Sequence, residues 1–226
     1  MLSTDSTSIF AAIRIADSAF PTGGFAFSSG LESSFLDGHV SDEADLLAAV
    51  QEQLLFRWQT FDRVFLHRYY ASPSAAMAVQ LDNIIESMTT VDRLRSGSRR
   101  AGAGLLSTFA KLDQAECAAY WEGVLAGSFP GHLTVVQAVG FHGIGLDLRM
   151  AETVSAWHLV SGLTGAALRL GIVGHLAIQR VLAALVPVLG SLLDDRLVID
   201  EPISFSTLSE IAAARRMGNS ARLFAT

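Results

Sequence analysis

The sequence predicts an all-α protein, a helical bundle of about eight to ten helices. In several long segments apolar residues recur every three to four positions, which is the spacing of one face of an amphipathic helix. No run of alternating apolar and polar residues is long enough for a sheet, and Val135-Val136 and Val198-Ile199 are the only weak strand signals. No repeat or low-complexity linker divides the chain. We therefore expect a single globular domain over residues 1–226, with flexible ends at 1–8 and 218–226.

The first half of the chain predicts four helical regions. A short helix over residues 8–16 leads into a glycine-rich loop, and one or two further helical turns follow from Leu31 to Leu36. Ser41 is expected to cap a long helix, whose apolar rhythm continues as far as Ser72-Pro73. The next helix carries its apolar face from Met77 to Val91, and that face resumes after an arginine-rich segment.

The rest of the chain predicts five more helices. Asp113 can cap a short helix that Gly127 ends, and a turn follows at residues 129–132. Thr207 has capping-box spacing with Glu210 for the final helix, which Gly218-Asn219 should end. The intervening helices cover about residues 133–143, 149–170 and 174–193, the last bent at Pro187.

Four glycines in the late helices have a similar role. They indicate either close helix–helix approach or a break between two helices. They are Gly162, Gly165, Gly171 and Gly174.

The composition limits the possible functions. The net charge of −6 argues against nucleic acid as a partner, because no broad basic surface is available to neutralise phosphates. Hydrophobic residues make up 50% of the chain and charged residues only 17%, so we expect exposed apolar surface that a partner covers. The longest stretch without charged residues, Gly123 to Leu146, contains a proline and six glycines, so no membrane span is expected. The N-terminus lacks the features of a signal peptide, which favours a cytoplasmic protein.

Residues 17–32 are the most distinctive stretch. They contain three glycines, a proline and three phenylalanines in sixteen residues. Pro21 should end the first helix, and Gly23-Gly24 permits positive φ and a close backbone approach. The phenylalanines are too apolar for a solvated loop. The stretch is therefore interpreted as a docking surface or a structural clasp.

Residues suited to catalysis or metal binding are sparse. The closest two of the six histidines, His132 and His142, are ten positions apart and lack metal-ligand spacing. The single cysteine, Cys117, has no positive neighbour that would activate it and is expected to be a small buried hydrophobe. No nucleophile elbow or phosphate-binding loop is present. We expect no catalytic residues, no metal site and no cofactor.

One basic cluster leaves two interpretations open. It consists of Arg93, Arg95, Arg99 and Arg100. The first interpretation is a solvated helix face that is salt-bridged to its neighbours. The second is a site for the carboxylates or phosphates of a partner. An alternative function follows from the second: a helical enzyme or protein that binds a metal or a small ligand through His132, His142 and the Arg93–Arg100 cluster.

The two ends of the chain, with segments between them, resemble a known family. Residues 20–32 combine a proline, a double glycine, an aromatic-serine pair and Gly30-Leu31-Glu32. The sequence closes with Ser220-Ala221-Arg222-Leu223-Phe224, where two large apolar residues stand beside an arginine. With three segments between them, these motifs resemble the urease accessory protein F family (UreF), whose members are all-α and not enzymes. The three segments are residues 42–46, 98–102 and 153–170.

The resemblance implies a function and a set of partners. Family members are scaffolds that dimerise, bind the accessory protein called UreD or UreH, and recruit the GTPase UreG. The assembly passes nickel to apo-urease. Glu32 and Arg169 are expected to face the GTPase or the nickel route. The other residues that the resemblance assigns to partner binding are Pro21, Gly23, Gly24, Phe25 and Ser28 near the start and Arg222, Leu223 and Phe224 in the tail.

Overall fold

The structure, a computed structural model, describes residues 6–23, 30–112, 115–197 and 201–215. In these ranges it is all-α and contains no strand. A π-helical segment, Leu54–Asp62, joins α3 to α4 without a break, so the described part has ten continuous helices, in agreement with the prediction. The helices are α1 (Ser6–Ala16), α2 (Leu31–Leu36), α3 (Glu43–Gln53), α4 (Arg63–Ala71), α5 (Ala75–Met88), α6 (Asp92–Lys111), α7 (Ala115–Leu125), α8 (Leu133–Gly143), α9 (Leu148–Arg169), α10 (His175–Asp194) and α11 (Thr207–Arg215).

The cap of α3 differs from the prediction. Asp42, not Ser41, is the N-cap, and its carboxylate accepts hydrogen bonds of 2.9 Å from the backbone N–H groups of Ala44 and Asp45. The hydroxyl of Ser41 instead donates to the Asp45 carboxylate at 2.8 Å. The negative charge of the Asp42 carboxylate also lies at the positive end of the helix dipole, which adds to the stabilisation of the helix start.

The π-helical segment interrupts what the sequence predicts as one regular helix. Two of its carbonyls accept hydrogen bonds from residues far away in the chain. The Thr60 carbonyl accepts from the Ile203 N–H at 2.8 Å, and the Phe56 carbonyl accepts from the Phe205 N–H at 2.9 Å. The Thr60 hydroxyl donates to the Ile203 carbonyl at 2.6 Å. Residues 201–206, which we call the strap, are therefore fastened along this segment.

Two apolar cores pack against successive parts of α9. Because α9 has 22 residues, it is about 33 Å long and contributes to both. The first core joins α9 to α1, α4, α5, α6, α7 and α8 through buried residues that include Phe61, Phe65, Phe109 and Phe141. The second joins α9 to α2, α3 and α10 through residues that include Leu46, Val50, Trp58 and Leu185. Cys117 is buried in the first core, as predicted.

One close approach occurs at a glycine for which the sequence did not predict it. A Cβ on Gly102 of α6 would lie 2.0 Å from the Gly131 carbonyl oxygen, so this helix meets the 129–132 turn backbone to backbone. Gly162, by contrast, lies inside α9 with no described atom from another element within 4 Å of its Cβ position, so it marks neither a close approach nor a break. Gly174 is the N-cap of α10 and lies in the predicted break between α9 and α10. Gly171, with φ of +71°, forms the predicted break between α9 and α10.

Helix α10 is unusually apolar for its position. It packs on α9 and α3 and continues through Pro187. By length and composition it is the one helix in the described ranges that is long and apolar enough to cross a membrane, and 22% of that stretch is buried. The buried core helix of a globular protein has the same composition. Leu176 and Val186 on its outer side are 77% and 57% exposed.

Candidate docking site

The opening loop, residues 17–23, begins where α1 ends. The Asp17 N–H donates to the Ile13 carbonyl at 3.0 Å, which completes the last turn of the helix. The carboxylate of Asp17 then accepts from the Ala19 N–H at 2.7 Å, and its carbonyl accepts from the Phe20 N–H at 3.0 Å. These bonds form a compact turn before Pro21, which is exposed.

Three contacts fix the second half of the opening loop to α6. The Phe20 ring packs against Phe109 with 5.7 Å between centroids. The Thr108 hydroxyl donates to the Pro21 carbonyl at 3.1 Å. Gly23 has φ of +70°, and a Cβ there would lie 2.1 Å from the Ala101 carbonyl oxygen. The close approach expected of the glycine pair is thus present at Gly23, while Gly24, Phe25 and Ser28 lie outside the described residues.

A cavity of about 790 Å³ lies beneath the opening loop. The loop forms one wall, and α9, α8, α6 and the π-helical segment form the others. Its lining includes aromatic rings of Phe20, Trp58 and Trp157 and the polar side chains of Arg57, Gln137 and Arg169. The strap reaches the same cavity through Ser206. The opening loop and the strap therefore meet at this cavity.

Glu32 and Arg169 occupy different environments. Glu32, in the first turn of α2, is 5% exposed, so its carboxylate lies inside the fold. Arg169 ends α9 and lines the cavity, and burial lowers the pKa of its guanidinium. Of these two residues, only Arg169 has a place on the cavity wall. Arg222, Leu223 and Phe224, the tail residues of the prediction, lie outside the described residues.

A buried polar relay crosses the cavity wall. The Trp58 indole N–H donates to the Ser155 hydroxyl at 3.2 Å, and that hydroxyl donates to the Gln137 side-chain oxygen at 2.9 Å. The Gln137 amide nitrogen lies 3.4 Å from Nδ1 of His158. Nε2 of His158 lies 3.0 Å from the carbonyl oxygen of Ile15, at the end of α1. Burial lowers the pKa of His158, although the bond to Ile15 favours the charged ring.

The strap is hydrogen-bonded to Arg57 of the π-helical segment, and apolar side chains are exposed beside this contact. Arg57 pairs with Asp62 at 3.3 Å and donates to the Ser204 hydroxyl at 3.4 Å. The Asp62 carboxylate also accepts from the Thr134 hydroxyl at 2.6 Å. The apolar side chains of Ile203 and Phe205 on the strap are exposed, and so is that of Phe56 on the π-helical segment.

The arginine cluster lies on the first half of α6, where Arg95 and Arg99 form salt bridges with carboxylates. Arg99 forms two hydrogen bonds with Glu86, one of them 2.8 Å from Nε to Oε2. Arg95 lies 3.5 Å from the same carboxylate and pairs with Asp92. Burial raises the pKa of Glu86, but hydrogen bonds from Arg99 and His132 outweigh it and lower the pKa overall. The geometry of Arg95 and Arg99 is therefore that of the first interpretation, a helix face that is salt-bridged to its neighbours. Arg100 is exposed.

The two histidines of the alternative function lie at opposite ends of α8, about 15 Å apart along its axis. That separation is too large for both to bind one metal ion. His132 is fully buried, with Nε2 2.8 Å from Glu86 and Nδ1 3.1 Å from the Ser98 hydroxyl, and burial lowers its pKa. His142 packs edge-on against the rings of Tyr69 and Tyr70. Among the residues that the structure describes, no group of three or more His, Cys, Asp or Glu side chains could hold a metal.

Two buried charge networks have no counterpart in the sequence analysis. Arg63 donates to Glu152 at 2.6 Å and to the Leu192 carbonyl at 2.7 Å, while His67 lies 2.5 Å from the same carboxylate. Asp82 accepts from the Tyr120 hydroxyl at 2.6 Å and from the N–H groups of Gly131 and His132. A charged residue on an apolar helix face is the only sign of such a network in the sequence. The sequence does not show which residues pair, because the bonded residues are 38 to 129 positions apart.

Comparisons with known proteins identify relatives along most of the chain. The family model described as UreF matches residues 40–186. A protein of Trichodesmium erythraeum named urease accessory protein UreF is 30% identical over 194 residues, or 83% of this chain and 82% of that protein. Proteins of the same name are 31% identical over 93% of the chain in an Arthrobacter species and 26% identical over 98% in Methylibium petroleiphilum, covering 94% and 95% of those proteins.

Proposed function

The chain belongs to the UreF family, and we propose that it is a non-catalytic scaffold in the maturation of urease. The observation that carries this proposal is the similarity to proteins named urease accessory protein UreF, which extends over 98% of the chain in one case. In this proposal the chain binds the UreD/UreH accessory protein and the UreG GTPase, and the assembly delivers Ni²⁺ to apo-urease in the cytoplasm. Any effect on GTP hydrolysis comes from positioning the residues of the GTPase itself.

The opening loop supports the assignment of a docking surface. It is held on α6 by Phe20, by the Pro21 carbonyl and by the close contact of Gly23, so its shape is set before a partner arrives. A preorganised surface loses less conformational entropy on binding than a flexible one. In the proposal, Gly24, Phe25 and Ser28 extend this surface, and the tail residues 222–224 bind the same UreD/UreH partner.

The position of Arg169 on the cavity wall supports a role for this residue in partner contact. Arg169, together with Glu32 on α2, is proposed to lie towards the GTPase or the path of the nickel ion. Arg169 lines a cavity that also contacts the opening loop and the strap, so a partner bound to the loop would lie close to it. Glu32 would act from inside the fold, because its side chain is almost fully buried.

The tail can be tested directly by capture of the partner. Removal of residues 220–226 is expected to abolish retention of the UreD/UreH protein in a pull-down while leaving the far-UV helical signal intact. Removal of Thr226 alone is the matched control, and this variant should retain the UreD/UreH partner. Full retention by the chain lacking all seven residues would show that the tail is not a docking element.

A homodimer is also part of the proposal, and α10 supplies a surface for it. Leu176 and Val186 expose large apolar side chains on a helix of which only a small part is buried. Two copies of this face would cover one another in a two-fold arrangement. We expect Leu176→Glu combined with Val186→Glu to give a monomer by light scattering, whereas Leu36→Glu, at an exposed position of α2, should leave the dimer intact. A doubly substituted chain that still dimerises would exclude α10 as the interface.

A further inference from the structure

The end of α1 is held by a side chain from another helix. The last carbonyls of a helix have no partner within it, and that of Ile15 is one of these. Nε2 of His158, on α9, lies 3.0 Å from this carbonyl oxygen. Because a carbonyl can only accept, the imidazole must carry its proton on Nε2. Ile15 itself is fully buried, so water cannot replace the bond.

The relay behind His158 selects that tautomer. An indole N–H can only donate, so the Ser155 hydroxyl accepts from Trp58 and directs its own proton to the Gln137 oxygen. The amide nitrogen of Gln137 then faces Nδ1 of His158 at 3.4 Å, the longest link of the relay. An amide nitrogen donates, so Nδ1 accepts and the proton is on Nε2. Burial, which lowers the pKa of His158, keeps the ring in this neutral form at pH 7.

We propose that His158 is a positioning residue for the opening loop, and that the relay from Trp58 through Ser155 and Gln137 fixes the tautomer with which it does so. The loop is then held from two sides. His158 fixes its start through Ile15, and α6 fixes its end through Pro21 and Gly23. The consequence for partner capture rests on the proposed function, whereas the positioning itself does not.

The relay also joins the opening loop to the strap. Trp58 lies in the π-helical segment, between the two residues whose carbonyls bind the strap, Phe56 and Thr60. A change at either end can therefore bias the other through side chains that the structure shows in contact. This connects the two regions of the described chain that meet at the cavity.

Two substitutions of one residue separate positioning from packing. His158→Phe fills the volume, keeps an aromatic ring beside Phe141 and lacks the donor, whereas His158→Gln can place an amide N–H close to the position of Nε2. In the isolated protein we expect His158→Phe to raise hydrogen exchange at the Asp17 and Phe20 amides by about tenfold, the loss of one hydrogen bond. His158→Gln should remain within about twofold of the wild type. Exchange in the middle of α6 should change in neither.

A third substitution tests the relay without changing His158 itself. Ser155→Ala removes the hydroxyl that orients Gln137, and we expect loop exchange to rise less than in His158→Phe. If His158→Phe fails to fold, Ser155→Ala still tests whether the relay holds the opening loop through His158. Wild-type loop exchange in Ser155→Ala would overturn the role of the relay. Equal effects of Gln and Phe at position 158 would overturn the positioning role.

A pull-down of the UreD/UreH protein with the same variants addresses function separately. Weaker capture by His158→Phe, with retention by His158→Gln, is the expected result. If loop exchange rises as expected but capture stays at the wild-type level, the positioning role stands and the proposed docking function of the loop fails.

Discussion

Gly23 and Gly38 form a matched pair in which only one glycine is crowded. Both have positive φ, +70° and +77°, so any side chain at either position meets the left-handed conformation. At Gly38 no described atom lies within 4 Å of the Cβ position, whereas at Gly23 a Cβ would lie 2.1 Å from the Ala101 carbonyl oxygen. We expect Gly38→Ala to lower the free energy of unfolding by about 1–2 kcal/mol. Gly23→Ala should lower it by about 1–3 kcal/mol more, because α6 must also move.

Urea denaturation of both variants gives the comparison. The additional loss at Gly23 should be accompanied by weaker retention of the UreD/UreH partner, since the opening loop is displaced from α6. Equal losses of stability in the two variants would contradict the close approach.

The two neutral buried histidines predict a dependence of stability on pH. Burial lowers the pKa of His132 and of His158 from the ordinary value of 6.5. The unfolded chain therefore binds protons more readily than the folded one, so the stabilisation is complete above about pH 6.5 and declines as the pH falls below it. The pKa values of Glu86 and Glu152 are also lowered, despite burial, so these carboxylates add to the loss below about pH 4.5.

A pH series of urea unfolding between about pH 7.5 and about pH 5 isolates the histidines. We expect the free energy of unfolding to fall across this range in the wild type and to fall less steeply in His132→Asn. His39→Asn, at an exposed position, is the control and should keep the wild-type slope. An unchanged slope in His132→Asn would show that His132 does not contribute.

Single residues were predictable from the sequence when their chemistry is local. Cys117 was expected to be buried because its neighbours offer no positive charge that would activate the thiol, and it is buried. Gly23 was expected at a close approach because a glycine pair follows a proline. The cap of α3 was placed on Ser41 and lies on Asp42, because two adjacent residues both have capping side chains and only the geometry chooses between them. Phe25, Ser28 and the tail residues are not described by the structure, so their roles stay predictions.

At the scale of elements, the Arg63–Glu152 pair joins three helices. Arg63 on α4 contacts Glu152 on α9 and the carbonyls of Leu192 and Asp195 at the end of α10. Removing one partner of a buried ion pair leaves the other charge unpaired, so Glu152→Ala should lower the free energy of unfolding by about 3–5 kcal/mol. Calorimetry measures this. Arg180→Ala, which breaks the exposed pair with Glu43, is the control and should leave the melting temperature close to that of the wild type. Similar losses of melting temperature in Glu152→Ala and Arg180→Ala would contradict the greater weight of the buried ion pair.

Helix positions followed from apolar periodicity, whereas the π-helical segment did not. Residues 54–62 keep the apolar spacing of a helix, and the strap that binds two of their carbonyls lies more than 140 positions later in the chain. The same reason explains the glycines. Gly102 is crowded because the 129–132 turn packs on it, and Gly162 is open because it faces the cavity, neither of which is encoded locally.

At the scale of the whole molecule, the two cores place the opening loop and the strap around one cavity. The all-α class was predictable because periodicity is a property of each segment by itself. The convergence of the two regions was not, because it arises from long-range pairs such as His158 with Ile15 and Thr60 with Ile203. The sequence indicated docking elements at both ends of the chain, and the structure adds how the first of them is held.

The central claim is that this chain is needed to assemble the nickel-delivery complex. The most direct test is to mature purified apo-urease with UreD/UreH, UreG, GTP and Ni²⁺, with and without this chain, and to measure bound nickel per urease together with urea hydrolysis. The account predicts that nickel incorporation and activity both rise only when the chain is present, and that they rise less with Gly23→Ala than with Gly38→Ala. Equal nickel incorporation with and without the chain would contradict it.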